Sequence, residues 1–298
     1  MTLRRWAYAA LAGLAACAPV QREPDLFGPA LVDVYARTAA AIEAEGGLRT
    51  ERNPPDAPIT RDLLVRNFER IAFFSETFRN GRQLLNRSRP ITLTRWEGPI
   101  RLGVIFGDSV PEAQRRRDLR DVEDLLSRYR SVTGRDIRYV PDGDINFLVL
   151  VLERQEQFQF AQAIEETGSF PISIAGDLRN SAPSVLCWAN LISAPDRSRE
   201  IVFASALIKA EHRGTWRTSC FHEELTQALG LVNDNFAVRP SIFNDDEEFA
   251  FLTLHDEILL RMLYDPRLYP GMTLAQARPL LPQIAADAAR AAGLRPSS

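Results

Sequence analysis

Two adjacent glutamates, Glu223 and Glu224, lie in a segment that ends at Gly230. Carboxylates held that close repel each other, which raises the pKa of one and equips the pair for general acid/base hydrolysis, with or without a hard cation. On a helix, however, neighbouring side chains point about 100° apart, so the two do not easily aim at one atom. His222 precedes them, but a metal pair written His-Glu-x-x-Thr would have to use Thr226. A lone imidazole is more often hydrogen-bonded or at the surface than a ligand, and the same holds for His212 and His255. The plain alternative for residues 223–231 is an amphipathic helix with Leu225 and Leu229 buried and Gly230 as its stop.

The elements that must position these residues follow from hydrophobic spacing. Leu102, Val104 and Phe106 predict a strand. Asp108, Ser109 and Pro111 then predict the start of a long helix whose buried face is Leu119, Val122, Leu125, Leu126, Tyr129 and Val132, ended by Gly134. A short strand is expected over 137–140, and the β-branched run 145–152 reads as a central buried strand. Residues 186–193, with polar interruptions, suit a sheet edge, and 201–208 another strand, before a helix from near Thr218 to Gly230. The order strand, helix, several strands, helix implies an α/β or α+β core in one mixed sheet. Upstream, Leu31, Val34, Tyr35 and Ile42 mark a peripheral helix in 17–58, and Leu64, Phe68 and Ile71 give 60–80 one helical face. No internal repeat is visible.

At the N-terminus, Arg4 and Arg5 precede an apolar run from Trp6 to Ala16 that is too short to span a bilayer. The run ends in Leu14-Ala15-Ala16-Cys17, which resembles the lipobox of bacterial lipoproteins. That resemblance implies a signal peptide over 1–16, acylation of Cys17, and an extracytoplasmic body held to a membrane by its lipid. Ala18 favours the outer membrane, facing the periplasm. A hydrophobic content of 45% suffices for a substantial core, and a net charge of -3 with no clustered basic face gives no reason to expect nucleic acid as a partner. With Cys17 acylated, Cys187 and Cys220 remain. In an oxidising compartment an even pair reads as one disulfide, with two free buried thiols as the alternative.

Residues 223–234 also resemble the metzincin zinc-protease frame HExxHxxGxxH with its three histidines replaced. Glu224 falls on the general base and Gly230 on the turn glycine. Glu223, Gln227 and Asn233 occupy the ligand positions, with Asp234 adjoining. Ser241-Ile242-Phe243 falls where the Met-turn of the matrixin branch places methionine beneath the metal. Leu252 to Tyr264 is similar to the closing matrixin helix, with Thr253 and Asp256 placed for a capping box, and Met262 belongs to its apolar face. The EELTQALGLxND, SIF and LYDP segments are also similar to a bacterial family of exported domains of unknown function.

The zincin resemblance implies an α+β fold over 98–293, a mixed sheet with two long core helices and a helical C-terminal part, preceded by an N-terminal extension over 59–97. It places the edge strand holding Cys187 beside the helix near Cys220, so that the two can meet. Zincin chemistry needs neutral imidazoles to hold Zn²⁺ and acidify its water. Glu223, Gln227 and Asn233 would instead favour Ca²⁺ or Mg²⁺ by hardness, and the expectation is loss of zinc catalysis with no required cofactor. The alternative is a hydrolase with Glu224 as general base. The edge strand beside the cleft would suit an extended peptide or envelope protein by strand addition. Buried, mutually bonded residues at 223, 227 and 233 would mark a structural spacer, whereas an open polar cleft would mark binding or catalysis.

Overall fold

Six consecutive apolar residues, Phe147 to Leu152, are buried without exception, as a strand covered on both faces requires. Around it the computed structural model describes residues 27–80, 83–196, 198–244 and 246–294, with the backbone alone over 76–80 and 83–88. In chain order the elements are α1 (Gly28–Ala44), α2 (Arg61–Ala72), β1 (Phe74–Asn80), β2 (Gln83–Pro90), β3 (Ile100–Phe106), α3 (Glu112–Thr133), β4 (Ile137–Tyr139) and β5 (Phe147–Leu152). There follow α4 (Arg154–Thr167), α5 (Ile172–Asn180), β6 (Cys187–Ser193), β7 (Ile201–Lys209), α6 (Gly214–Gln227), α7 (Leu254–Leu263), α8 (Leu274–Ala277) and α9 (Leu281–Ala291).

The main sheet runs β4-β3-β5-β7-β6. Four strands are parallel, and the last, β6, runs antiparallel to β7 with Cys187 opposite Ile208 and Asn190 opposite Ser205. β1 and β2 pair separately as an antiparallel hairpin. One face of the sheet, through Leu102, Val149 and Ala206, joins a core with α2, α3, α6, α7 and α9. The other, through Leu148, Leu150 and Leu207, packs on Ala161 and Ile164 of α4 and Leu178 of α5. The result is a mixed α/β fold in three layers.

Local chemistry fixes the ends of these elements. Gly134 ends α3 in the left-handed region at φ 68. Glu153 and Glu156 form a capping box that starts α4, as Thr253 and Asp256 do for α7. Arg217 on α6 donates from Nη2 to Asp118 on α3 at 2.6 Å, both side chains almost wholly buried. Tyr35 docks α1 onto the end of β7: its hydroxyl donates to the Pro183 carbonyl at 2.8 Å and accepts from the buried Lys209 ammonium at 3.1 Å. No helix among the described residues is long and apolar enough to cross a membrane.

One expectation meets a different arrangement: the helical face anticipated over 60–80 stops at Ala72, and β1 follows. Leu64, Phe68 and Trp96, from the segment 59–97, pack in one core with Leu225 and Leu259. The expected signal segment and Cys17 lie outside the described residues.

Candidate functional site

The cleft opens between the free edge of the sheet and α6. A cavity of about 390 Å³ is lined by Trp188 and Asn190 of β6, Asp177 and Asn180 of α5, and Glu223, Glu224, Gln227 and Asp234 from α6 and its exit. A second hollow continues along Ala189, Asn190, Leu191 and Ser193 of the same strand and shares Gln227 and Val232. A groove therefore follows β6 for most of its length. Glu224 is buried, while Glu223, Gln227 and Asp234 are half-buried. The Gln227 amide donates to Asp234 Oδ2 at 3.1 Å, and the Asn190 amide donates to Asp177 Oδ2 at 3.0 Å. Asp177, Asn180 and Trp188 were not singled out in the sequence, because their recruitment depends on how α5 folds back over β6.

The exit from α6 depends on Gly230. Its φ of +117 suits glycine, and an added Cβ would stand 2.3 Å from the Thr94 carbonyl oxygen. Trp96 Nε1 donates to the Ala228 carbonyl and the Tyr264 hydroxyl to the Leu229 carbonyl, at 2.9 and 2.8 Å. Beyond the turn, the Val232 N–H reaches the Ile71 carbonyl at 3.2 Å and the Asn233 amide the Arg70 carbonyl at 2.9 Å. These are last-turn carbonyls of α2, which lack intrahelical donors. Asn233 thus serves as a cap for α2 and does not line the cleft. Its neighbour Asp234 does.

Phe243 is likewise absent from the cleft lining and is fully buried in the main core. The segment that carries it is anchored by Asp256, whose carboxylate accepts from Ser241 Oγ, the Ile242 N–H and Thr253. Met262 is a core residue, as its spacing predicts. None of the three histidines lines the cleft. His222 Nδ1 accepts from the Leu252 N–H at 2.9 Å and the ring stacks on Phe251, and burial pushes its pKa down to about 3. His212 Nε2 meets the Leu186 carbonyl at 2.8 Å, and burial lowers its pKa to about 4. His255 Nε2 contacts the Asn67 amide at 3.0 Å.

The sulfurs of Cys187 and Cys220 stand 2.24 Å apart, at disulfide distance, with their Cα atoms separated by 5.9 Å. The pair fastens β6 to α6 at the wall of the cleft. Among the described residues one set of three candidate metal-ligand atoms lies within 4.8 Å of one another, from Cys187, Glu223 and Glu224. A sulfur bonded to Cys220 is no thiolate ligand, which leaves two carboxylates. With Asn233 turned to the Arg70 carbonyl, the three zincin ligand positions do not converge, and this donor set does not fit zinc.

The fold and cleft define a mixed α/β domain with a polar groove between an antiparallel edge strand and a core helix. Residues 61–283 match the family described as "Protein of unknown function (DUF2927)", and since this is most of the chain, the chain belongs to that family. Neither a curated protein nor a solved structure matches it.

Proposed function

We propose that the chain is a lipid-tethered extracytoplasmic protein that binds an extended segment of an envelope protein along β6 and does not cleave it. Residues 1–16 are the signal peptide in this reading, and Cys17 carries the lipid. The observation that carries it is the groove itself: Glu223, Gln227 and Asp234 are half-buried and line a cavity of about 390 Å³ beside an edge strand. An edge strand offers main-chain hydrogen bonds to an added strand, and the carboxylates beside it offer selectivity for basic side chains. In this reading Glu224 and Gly230 keep the positions of the metzincin-like frame, and the residues at the zinc-ligand positions do not converge because Asn233 turns to the Arg70 carbonyl.

Fluorescence anisotropy with labelled extended peptides from envelope proteins tests this. Binders should protect the β6 amides from hydrogen exchange and weaken about tenfold, or ~1.4 kcal/mol, in Glu223→Gln/Asp234→Asn. Binding without β6 protection refutes strand addition. The second reading, hydrolysis with Glu224 as general base, is favoured by the burial of Glu224 in the cleft wall. Peptide turnover abolished by Glu224→Gln would establish it in place of the first. For the tether, Cys17→Ser should release the protein from membranes and abolish fatty-acid labelling, and continued sedimentation with membranes after a salt wash would refute lipid anchoring.

A further inference from the structure

A second cavity, of about 350 Å³, opens at the carboxyl ends of the parallel strands and shares no lining residue with the groove. Its walls are Asp33 and neighbouring residues of the first turns of α1, Ser109 after β3, Glu153 after β5, and Glu211 and Arg213 after β7. Open α/β sheets place ligands in this position, because the loops leaving successive strands converge there. This cavity is also partly built by α1, which precedes the residues matched by the family.

The carboxylates around it are not equally committed. Glu156 accepts from the Ser109 N–H at 2.7 Å and the Ser109 hydroxyl at 2.8 Å, and its Oε2 also takes the Glu153 N–H. Glu153 accepts from the Glu156 N–H within the capping box. Glu211 is 2% exposed. Its Oε1 accepts from the Arg154 N–H at the start of α4 at 2.7 Å, while Oε2 is buried with no hydrogen-bond partner. A buried carboxylate oxygen left so costs free energy unless a donor reaches it. Of the basic groups nearby, Lys209 donates to Tyr35 and the Ala182 carbonyl and Arg213 to the Ala210 and His212 carbonyls, and each also acts on the Glu211 charge through space. Burial raises the carboxyl pKa of both Glu153 and Glu211; the Glu156 charge raises Glu153 further, and the Glu153 charge raises Glu211 against the opposing pull of the Arg154 N–H and the Lys209 ammonium, so a cation reaching this wall would offset a desolvation penalty.

We propose that this cavity binds a small organic molecule through a primary ammonium, with Glu211 as its principal acceptor and Glu153 and Asp33 completing an acidic wall. A bare metal ion fits less well. These carboxylates supply no set of three ligand atoms within 4.8 Å, the Cys187, Glu223 and Glu224 set being elsewhere. The volume instead suits several heavy atoms, and the lining offers Glu211 to a cationic head and Pro29 and Val32 to an aliphatic body.

Calorimetric titration of the full chain with 1,4-diaminobutane, and with 1,4-butanediol as its neutral counterpart, tests the proposal. The diamine should bind saturably at one equivalent and the diol should not. Glu211→Gln, which keeps the Oε1 acceptor for Arg154 and removes the charge, should weaken the diamine about tenfold or more. Asp33 is exposed on α1, so Asp33→Asn cannot unfold the core and should also weaken binding, by a smaller factor. Glu166→Gln, a remote exposed change on α4, should leave it as it was. The proposal is overturned if the diamine gives no saturable heat, if the diol binds equally well, if both Glu211→Gln and Asp33→Asn retain full affinity, or if calcium binds stoichiometrically and displaces the diamine.

Discussion

Removing the link between Cys187 and Cys220 should destabilise the protein by an amount set by the chain it closes. The sequence separation is 33, and the chain-entropy relation converts this to about 3.7 kcal/mol at 25 °C. For a domain of this size each kcal/mol lowers the melting temperature by roughly 2–4 °C, so the loss should be about 7–15 °C. The perturbation is Cys187→Ala/Cys220→Ala in a Cys17→Ser background, compared with the oxidised and the reduced parent. Cys220 is buried in the main core, so the alanine variant should fall slightly below the reduced parent, by the packing of the lost sulfur. Urea unfolding with and without reductant gives the free energies, and thiol counting on the unfolded, non-reduced chain gives the oxidation state. Two reactive thiols in the non-reduced chain, or equal urea midpoints with and without reductant, would refute the reasoning.

Gly230→Ala should lower stability by about 1–3 kcal/mol or more, from backbone strain and collision with the Thr94 carbonyl, and an unchanged urea midpoint would contradict the account of the α6 exit. Glu223→His/Gln227→His should create a stoichiometric zinc site, because the two positions are one helical turn apart and Asp234 supplies a third ligand. Adding Asn233→His should not tighten it, since that side chain faces α2, and a marked gain in calorimetry would place residue 233 in the cleft after all. His212 and His222 are held below the ordinary imidazole value of 6.5, at about 4 and about 3. The unfolded chain therefore binds more protons between those values. The stability they confer is complete above pH 6.5 and lost as pH falls toward 3. Urea midpoints across that range should decline, and less steeply in His212→Gln. A flat profile in the parent would falsify the assignment.

Much of the scaffold was legible because its signals are local. The strands at 100–106, 147–152 and 201–209 follow from apolar runs, and α3 from Pro111 at one end and Gly134 at the other. The α7 capping box was readable from Thr253 and Asp256, whereas the equivalent pair at Glu153 and Glu156 went unread, and with it α4 and α5. α6 begins at Gly214, ahead of the expected Thr218, because no side chain caps its first turn. The hairpin of β1 and β2 was hidden by the continuous apolar spacing that leads out of α2. In the cleft, the helical period puts Glu223 and Gln227 one turn apart, and both line the same cavity. It could not decide between Asn233 and Asp234, since that choice depends on which side chain finds the unsatisfied carbonyls of α2, a contact between segments far apart in the chain.

The docking of α1 by Tyr35 has an experimental use. Lys209 is the only lysine in the sequence, and it is almost wholly buried beneath that tyrosine. Reagents that acylate primary amines therefore have one side-chain target, shielded while α1 stays in place. The rate at which that single amine reacts in the folded protein measures how often the helix lifts from the sheet. Because the helix lies between the N-terminal segment and the family domain, the same rate would report whether pulling on that segment is felt inside the fold.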